Sequence, residues 1–145
     1  MIFIFDIDGT LSNHAHRLHY ITGETKDREG FRNAQGNDLP IWEVITVARA
    51  LAKAGNIIVY STGRMEKDRE VTQAWLNKYR APTGMLYMRK DGDHREGYVV
   101  KSETLDTILG MNSEPIGGAF EDRQQMADMY RARGIRVFQV AKGDY

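Results

Sequence analysis

The 145-residue sequence contains no cysteine. That absence removes disulfides, thiolate nucleophiles and Cys-based zinc sites together, and it fits a reducing compartment. An excess of one charge is lacking too: 20 Lys and Arg stand against 20 Asp and Glu, for a formal net charge of +0. Nothing favours wholesale wrapping of a nucleic acid, so any such contact is expected to be local. No long hydrophobic run occurs. The apolar start, Met1 to Phe5, has no basic segment before it and is too short for a signal peptide or a membrane span. The expected setting is the cytoplasm, with no membrane and no obligate protein partner. Repeats and low-complexity tracts are missing as well. What remains is 145 residues with 41% hydrophobic content, enough for one compact domain over 1–145.

Short Val-, Ile- and Phe-rich runs bounded by polar or turn residues predict buried strands at Ile2–Phe5, Ile57–Tyr60 and Ile135–Val140. Met85–Met88 and Ile116–Phe120 are weaker, the latter diluted by Gly117 and Gly118. Helical stripes lie between them: Ile41, Ile45, Ala48 and Ala52; Val71, Trp75 and Tyr79; Met126, Met129 and Tyr130. Strand and helix alternate, which predicts an α/β fold: a three-layer, doubly wound, Rossmann-like parallel sheet. Residues 12–40 or so break the rhythm. They are polar and carry His14, His16, Arg17, His19, Lys26, Arg28 and Arg32. An insertion there would hang over the carboxyl edge of the sheet, where such folds bind ligands. It is read as a small helical cap.

Chemistry concentrates at the predicted strand ends. The first strand runs into Asp6-Ile-Asp8-Gly9-Thr10. Two close carboxylates repel, and a hard divalent ion such as Mg²⁺ would resolve the conflict. The competing reading is a plain Asp-Gly turn. The second strand ends in Ser61-Thr62-Gly63-Arg64, where a hydroxyl, freed amides and a guanidinium could hold an anion, or Ser and Thr could simply cap a helix. Lys101 stands near the start of a predicted helix, where the macrodipole disfavours a cation unless an anion needs it. Glu121-Asp122 closes the last such strand end. Other features have plain readings. His14, His16 and His19 do not share one helical face, so surface or substrate contact is preferred to metal binding. Asp91-Gly92-Asp93 reads as a turn, because the ligand spacing of a calcium loop is missing.

Taken together, these residues resemble the haloacid dehalogenase superfamily of phosphatases. Asp6-x-Asp8-Gly9-Thr10, Thr62-Gly63-Arg64, Lys101 and Glu121-Asp122 match its four motifs in order. A nearer likeness is to the 3′-phosphatase domain of phage polynucleotide kinase. It rests on Arg89-x-x-Gly92-Asp93-x-Arg95, Glu121-Asp122-Arg123-x-Gln125 and the ending Gln139-Val140-Ala141-x-Gly143-Asp144-Tyr145. It is poor in the cap. No G-x-x-x-x-G-K kinase motif is present, so the resemblance implies a free-standing phosphatase, in a host cytoplasm if phage-encoded.

The resemblance implies roles. Asp6 is the nucleophile and Asp8 the general acid/base. Asp6, the Asp8 backbone carbonyl and Asp122 hold Mg²⁺. Thr62, the Gly63 amide and Lys101, with Thr10 nearby, bind the phosphoryl group, and Glu121 holds Lys101. Arg64 contacts substrate or orders the site. Arg17, Arg89 and Arg95 are candidates for the penultimate phosphate of a DNA or RNA 3′ end, as in nucleic-acid end repair. Gly97 stands where relatives carry an acidic residue, and neighbouring Glu96 is a candidate to compensate. The alternative is a phosphatase of free nucleotides or another small phosphorylated metabolite.

Overall fold

A computed structural model describes residues 1–143; Asp144 and Tyr145, which end the C-terminal motif, lie outside the described residues. Strand β1 (Ile2–Phe5) is apolar throughout, as a strand covered on both faces must be. It sits in the middle of a five-stranded sheet of order β5-β4-β1-β6-β7. Its partners are β4 (Ile57–Met65) and β6 (Ile116–Arg123), with β5 (Met85–Arg89) and β7 (Val137–Gly143) outside them. Every pairing in this sheet is parallel.

Alternation along β1 divides the core. Phe3 and Phe5, with Ile58 and Tyr60, pack on Val44, Ile45 and Ala48 of α3 (Trp42–Lys53) and on Trp75 and Leu76 of α4 (Arg69–Lys78). Ile2 and Ile4, with Val59 and Ala119, pack on Leu105 and Ile108 of α5 (Gly97–Met111) and Tyr130 of α6 (Gln124–Ala132). The expected doubly wound, three-layer arrangement is thus present. One stripe is corrected: α4 buries Thr72, Trp75 and Leu76, while Val71 is 37% exposed. Gly117 and Gly118 weaken the sequence signal of β6 for a packing reason. A Cβ at either would stand 2.6 Å from a ring atom, of Phe3 and Phe138 respectively.

Between β1 and α3 the chain leaves the sheet and returns. A two-residue antiparallel ladder of β2 (Ser12–Asn13) and β3 (Leu39–Pro40) ties the base of this excursion. Inside it are two short helices, α1 (His19–Thr22) and α2 (Arg28–Asn33), and two single 3₁₀ turns. It starts at the carboxyl end of β1, where the strand order switches direction, the usual binding crevice of such sheets.

Candidate active site

Asp6 continues the alternation of Ile2 and Ile4, so it faces α5. There it meets Lys101, whose Nζ donates to Asp6 Oδ1 and to Glu121 Oε2, both at 2.6 Å. Thr10 Oγ1 donates to the other Asp6 oxygen at 3.3 Å. Glu121 Oε1 accepts the backbone N–H groups of Asp122 at 3.2 Å and Arg123 at 3.3 Å. All of these side chains are buried. Burial would strip Lys101 of its proton, but two facing carboxylates outweigh it and hold the ammonium well above its ordinary range. Asp6 fares differently. Burial, then the Glu121 charge, pushes its carboxyl up to about 7 against the pull of Lys101. Glu121 is raised as well, by burial, with Lys101 opposing. Lys101 sees two anions, whereas its partners must share one cation, and that difference explains the opposite outcomes.

Asp8 follows Ile7 into a tight turn. The Ile7 carbonyl accepts the N–H groups of Thr10, Leu11 and Ser12 at 3.1, 2.9 and 2.9 Å. Gly9 takes φ +81° there, a conformation costly for a side-chain-bearing residue. An Asp-Gly turn and a paired-carboxylate motif are therefore both present. Arg64 donates from Nη2 to Asp8 Oδ1 at 2.6 Å, and Arg17 Nη2 reaches the same oxygen at 2.7 Å. Behind them stands Asp38, fully buried. It accepts from Arg17 Nε at 2.7 Å and Nη2 at 2.7 Å, from Arg64 Nη2 at 3.1 Å and from Ser12 Oγ at 3.0 Å, and pairs with His16 at 2.8 Å. Burial alone would raise Asp8, but Arg64 and then Arg17 override it and hold the carboxyl well below the usual range. The two aspartates of one motif are thus driven apart, a pattern typical of acid–base pairs with different duties.

Among the described residues, Asp6, Glu121 and Asp122 form the group able to hold a metal ion, with one oxygen from each within 4.8 Å of the others. Three buried carboxylates beside one ammonium leave local negative charge. Hard oxygen donors of this kind suit a divalent cation such as Mg²⁺. Glu121 already serves Lys101 and two amides, so Asp6 and Asp122 are the better placed donors. A cavity of about 270 Å³ opens over Asp6, Asp8 and Lys101, walled by His14, Phe31 and Gly63 among others.

The other residues expected from sequence divide. Gly63 and Arg89 line this cavity, and Arg89 braces the rim by donating to the carbonyls of Gly63 at 3.3 Å and Arg95 at 2.7 Å. Thr62 Oγ1 accepts the Arg64 N–H at 3.2 Å, at the edge of the site. Thr10 is turned to Asp6. Arg64 orders Asp8. Arg17 is held inside the site: its guanidinium is buried against Asp38, Asp8 and the face of Phe31, 4.2 Å from the ring centroid. Arg95 lies apart from this cavity. It forks onto Glu103 at 2.7 and 2.8 Å and onto Asp93, beside a different groove. At Gly97, where the acidic side chain is missing, a Cβ would lie 2.7 Å from Met126 Cε, so the flexible end of Met126 would have to shift to admit one. Asp38 was not legible as a site residue. Asp38-Leu39-Pro40 offers only a turn signal, and no local pattern announces an acid that reaches back to Asp8.

The sequence matches the family model of the polynucleotide kinase PNKP phosphatase domain over residues 1–145. The chain belongs to this family. It is a phosphatase of the haloacid dehalogenase type. A chain in a structure of a Pnkp1/Rnl/Hen1 complex is 30% identical with a TM-score of 0.83, and the match covers 99% of this chain and 46% of that one. A chain of the Pnkp1/Rnl/Hen1 RNA repair complex is 27% identical with a TM-score of 0.80, covering 99% and 43%. This phosphatase therefore spans less than half the length of those relatives. The class C acid phosphatase from Bacillus anthracis with tungstate bound shares the fold, at 14% identity and a TM-score of 0.70 over 99% of this chain and 67% of that one. No helix among the described residues is long and apolar enough to cross a membrane.

Proposed function

We propose that this phosphatase removes 3′-phosphates from polynucleotide ends through an aspartyl-phosphate on Asp6, with Mg²⁺ as cofactor. The observation that carries the chemistry is the pairing of a Lys101-held carboxylate with an arginine-clamped one at the floor of a single cavity. An Asp6 oxygen bonds to phosphorus as the ester P–O bond breaks, and the departing alkoxide takes its proton from Asp8. Asp8, again a carboxylate, then removes a proton from water. The water oxygen bonds to phosphorus, the Asp6–phosphorus bond breaks, and inorganic phosphate leaves. Lys101, the Gly63 amide and Thr62 orient the phosphoryl oxygens. Asp6, Asp122 and the Asp8 backbone carbonyl are the donors for Mg²⁺, which neutralises developing phosphoryl charge when bound. The arginine clamp favours the Asp8 carboxylate, which suits the water-activating step; the proton that Asp8 takes from water there is the one it hands to the next departing alkoxide, and a carboxyl clamped in this way gives it up readily.

The 3′-end assignment draws on the family and on the RNA repair complex in which a relative is found. Because those relatives are seen within an assembly, the proposal concerns the phosphatase chemistry and not a solitary state. A substrate panel with Mg²⁺ tests it: 3′- and 5′-phosphorylated DNA and RNA oligonucleotides beside free 3′- and 5′-nucleotides. Preferential release of phosphate from 3′ ends is expected. Equal turnover of free nucleotides and oligonucleotides would transfer the site to small phosphorylated metabolites.

A further inference from the structure

A second cavity, about 180 Å³, adjoins the first and shares Asp8, Phe31 and Gly63 with it. It is a cleft between α2 and the connection from β4 to α4. Four arginines line it, Arg17, Arg28, Arg32 and Arg64, together with Asp8 and Asp68. Arg17 and Arg64 are committed to Asp8 and Asp38. Arg28 and Arg32 are not. Among the described residues Arg28 makes no hydrogen bond or ion pair. Arg32 Nε stands 3.7 Å from Asp68 Oδ2, and neither of these buried atoms has a hydrogen-bond partner.

Helix stability does not account for this pair. Arg28 and Arg32 are four apart on α2, and like charges at that spacing cost a helix about 0.2–0.5 kcal/mol. A six-residue helix has little to spare. Two loosely held cations on one face, lining a cleft beside Asp8, are free to take an anion. Gly63 borders both cavities without a side chain, and a Cβ there would meet only Arg89, at 4.0 Å. The cleft is smaller than the roughly 300 Å³ at which sites for whole drug-sized ligands begin. It suits a phosphate group rather than a nucleoside. The face of Phe31 already carries Arg17, so the cleft reads charge and not a stacked base.

We infer that Arg28 and Arg32 form a subsite for the phosphodiester one nucleotide along the strand from the scissile 3′-phosphate. This rests on the strand-end reading above and supplies a penultimate-phosphate contact from cations that, unlike Arg17 and Arg95, are not already committed to carboxylates at hydrogen-bond distance. Asp68 keeps the subsite open to exchange by competing weakly for Arg32.

The test compares wild type with Arg28→Gln/Arg32→Gln and with the charge-preserving Arg28→Lys/Arg32→Lys. Substrates are p-nitrophenyl phosphate, a nucleoside 3′-monophosphate, the matching nucleoside 3′,5′-bisphosphate and a 3′-phosphorylated oligonucleotide, all with Mg²⁺. Wild type should prefer the bisphosphate to the monophosphate in kcat/KM by about tenfold, near 1.4 kcal/mol. The Gln pair should erase that preference and flatten the salt dependence on the oligonucleotide by roughly 0.7 for each phosphate no longer held. Its kcat/KM ratio of bisphosphate to p-nitrophenyl phosphate should fall, and the Lys pair should recover most of it, which a folding defect would not produce. A bisphosphate preference that survives in the Gln pair overturns the assignment. So does equal wild-type turnover of bisphosphate and monophosphate, even with 3′ selectivity intact. If wild type hydrolyses p-nitrophenyl phosphate but no 3′-phosphate, the strand-end reading fails and the subsite falls with it.

Discussion

At the scale of single residues, two aspartates of one motif stand in opposite environments, and the proposed catalysis depends on that contrast. Asp6→Asn removes a charge and an acceptor without changing volume. It should abolish turnover while leaving the melting temperature unchanged or higher, because one buried negative charge leaves the cluster. Substantial activity in the purified variant would exclude the covalent route. Asp8→Asn should keep phosphate and metal binding but lose about 10²–10⁴ in rate, the worth of a positioned acid–base group. p-Nitrophenol departs without much help, so the loss should be smaller on p-nitrophenyl phosphate. Equal losses on activated and unactivated esters would argue against proton transfer by Asp8.

At the scale of elements, the clamp on Asp8 joins the excursion to the sheet. Arg17, Asp38 and Ser12 belong to one and Asp8 and Arg64 to the other, and Trp75 Nε1 of α4 adds a bond to the Asp38 carbonyl at 2.8 Å. Asp38→Asn leaves two buried guanidinium groups sharing Asp8 alone. Breaking a buried charge pair in this way should cost about 3 kcal/mol of stability and lower kcat together with it. Denaturant unfolding checks the first and steady-state kinetics the second; a variant as stable and as fast as wild type would mean that the clamp is ornamental. The sheet and its helices were legible because both faces of each strand demand apolar residues, and strand ends therefore stand out wherever Asp6, Arg64 and Glu121 interrupt them. The excursion was not. Its helices are too short for a periodic stripe, so sequence could name its cations but not say that Arg17 turns inward, while Arg28 and Arg32 face a cleft. Asp38 acts across 30 residues of chain from Asp8, a distance over which pattern carries no information.

At the scale of the whole molecule, the cluster of Asp6, Glu121 and Asp122 sets stability against function. Mg²⁺ at about 100 times its dissociation constant should stabilise the fold by about 2.7 kcal/mol. For a chain of this length that is roughly 5–10 °C in Tm. Asp122→Asn should erase the Mg²⁺-dependent rise and, in chelator, melt no lower than wild type. A rise that persists in the variant would place the ion elsewhere. The position of β1 has a consequence during synthesis. Its partners begin at Ile57 and Ile116, so the central strand is made before either of them. At about 5–20 residues per second, roughly 5–20 s separate the appearance of β1 from that of β6. For that interval a wholly apolar strand has one or both of its edges open, and chaperone binding to nascent chains should concentrate there. Stalled ribosomes bearing chains cut before and after β6 would reveal it as a step in protease resistance once residues 116–123 have emerged.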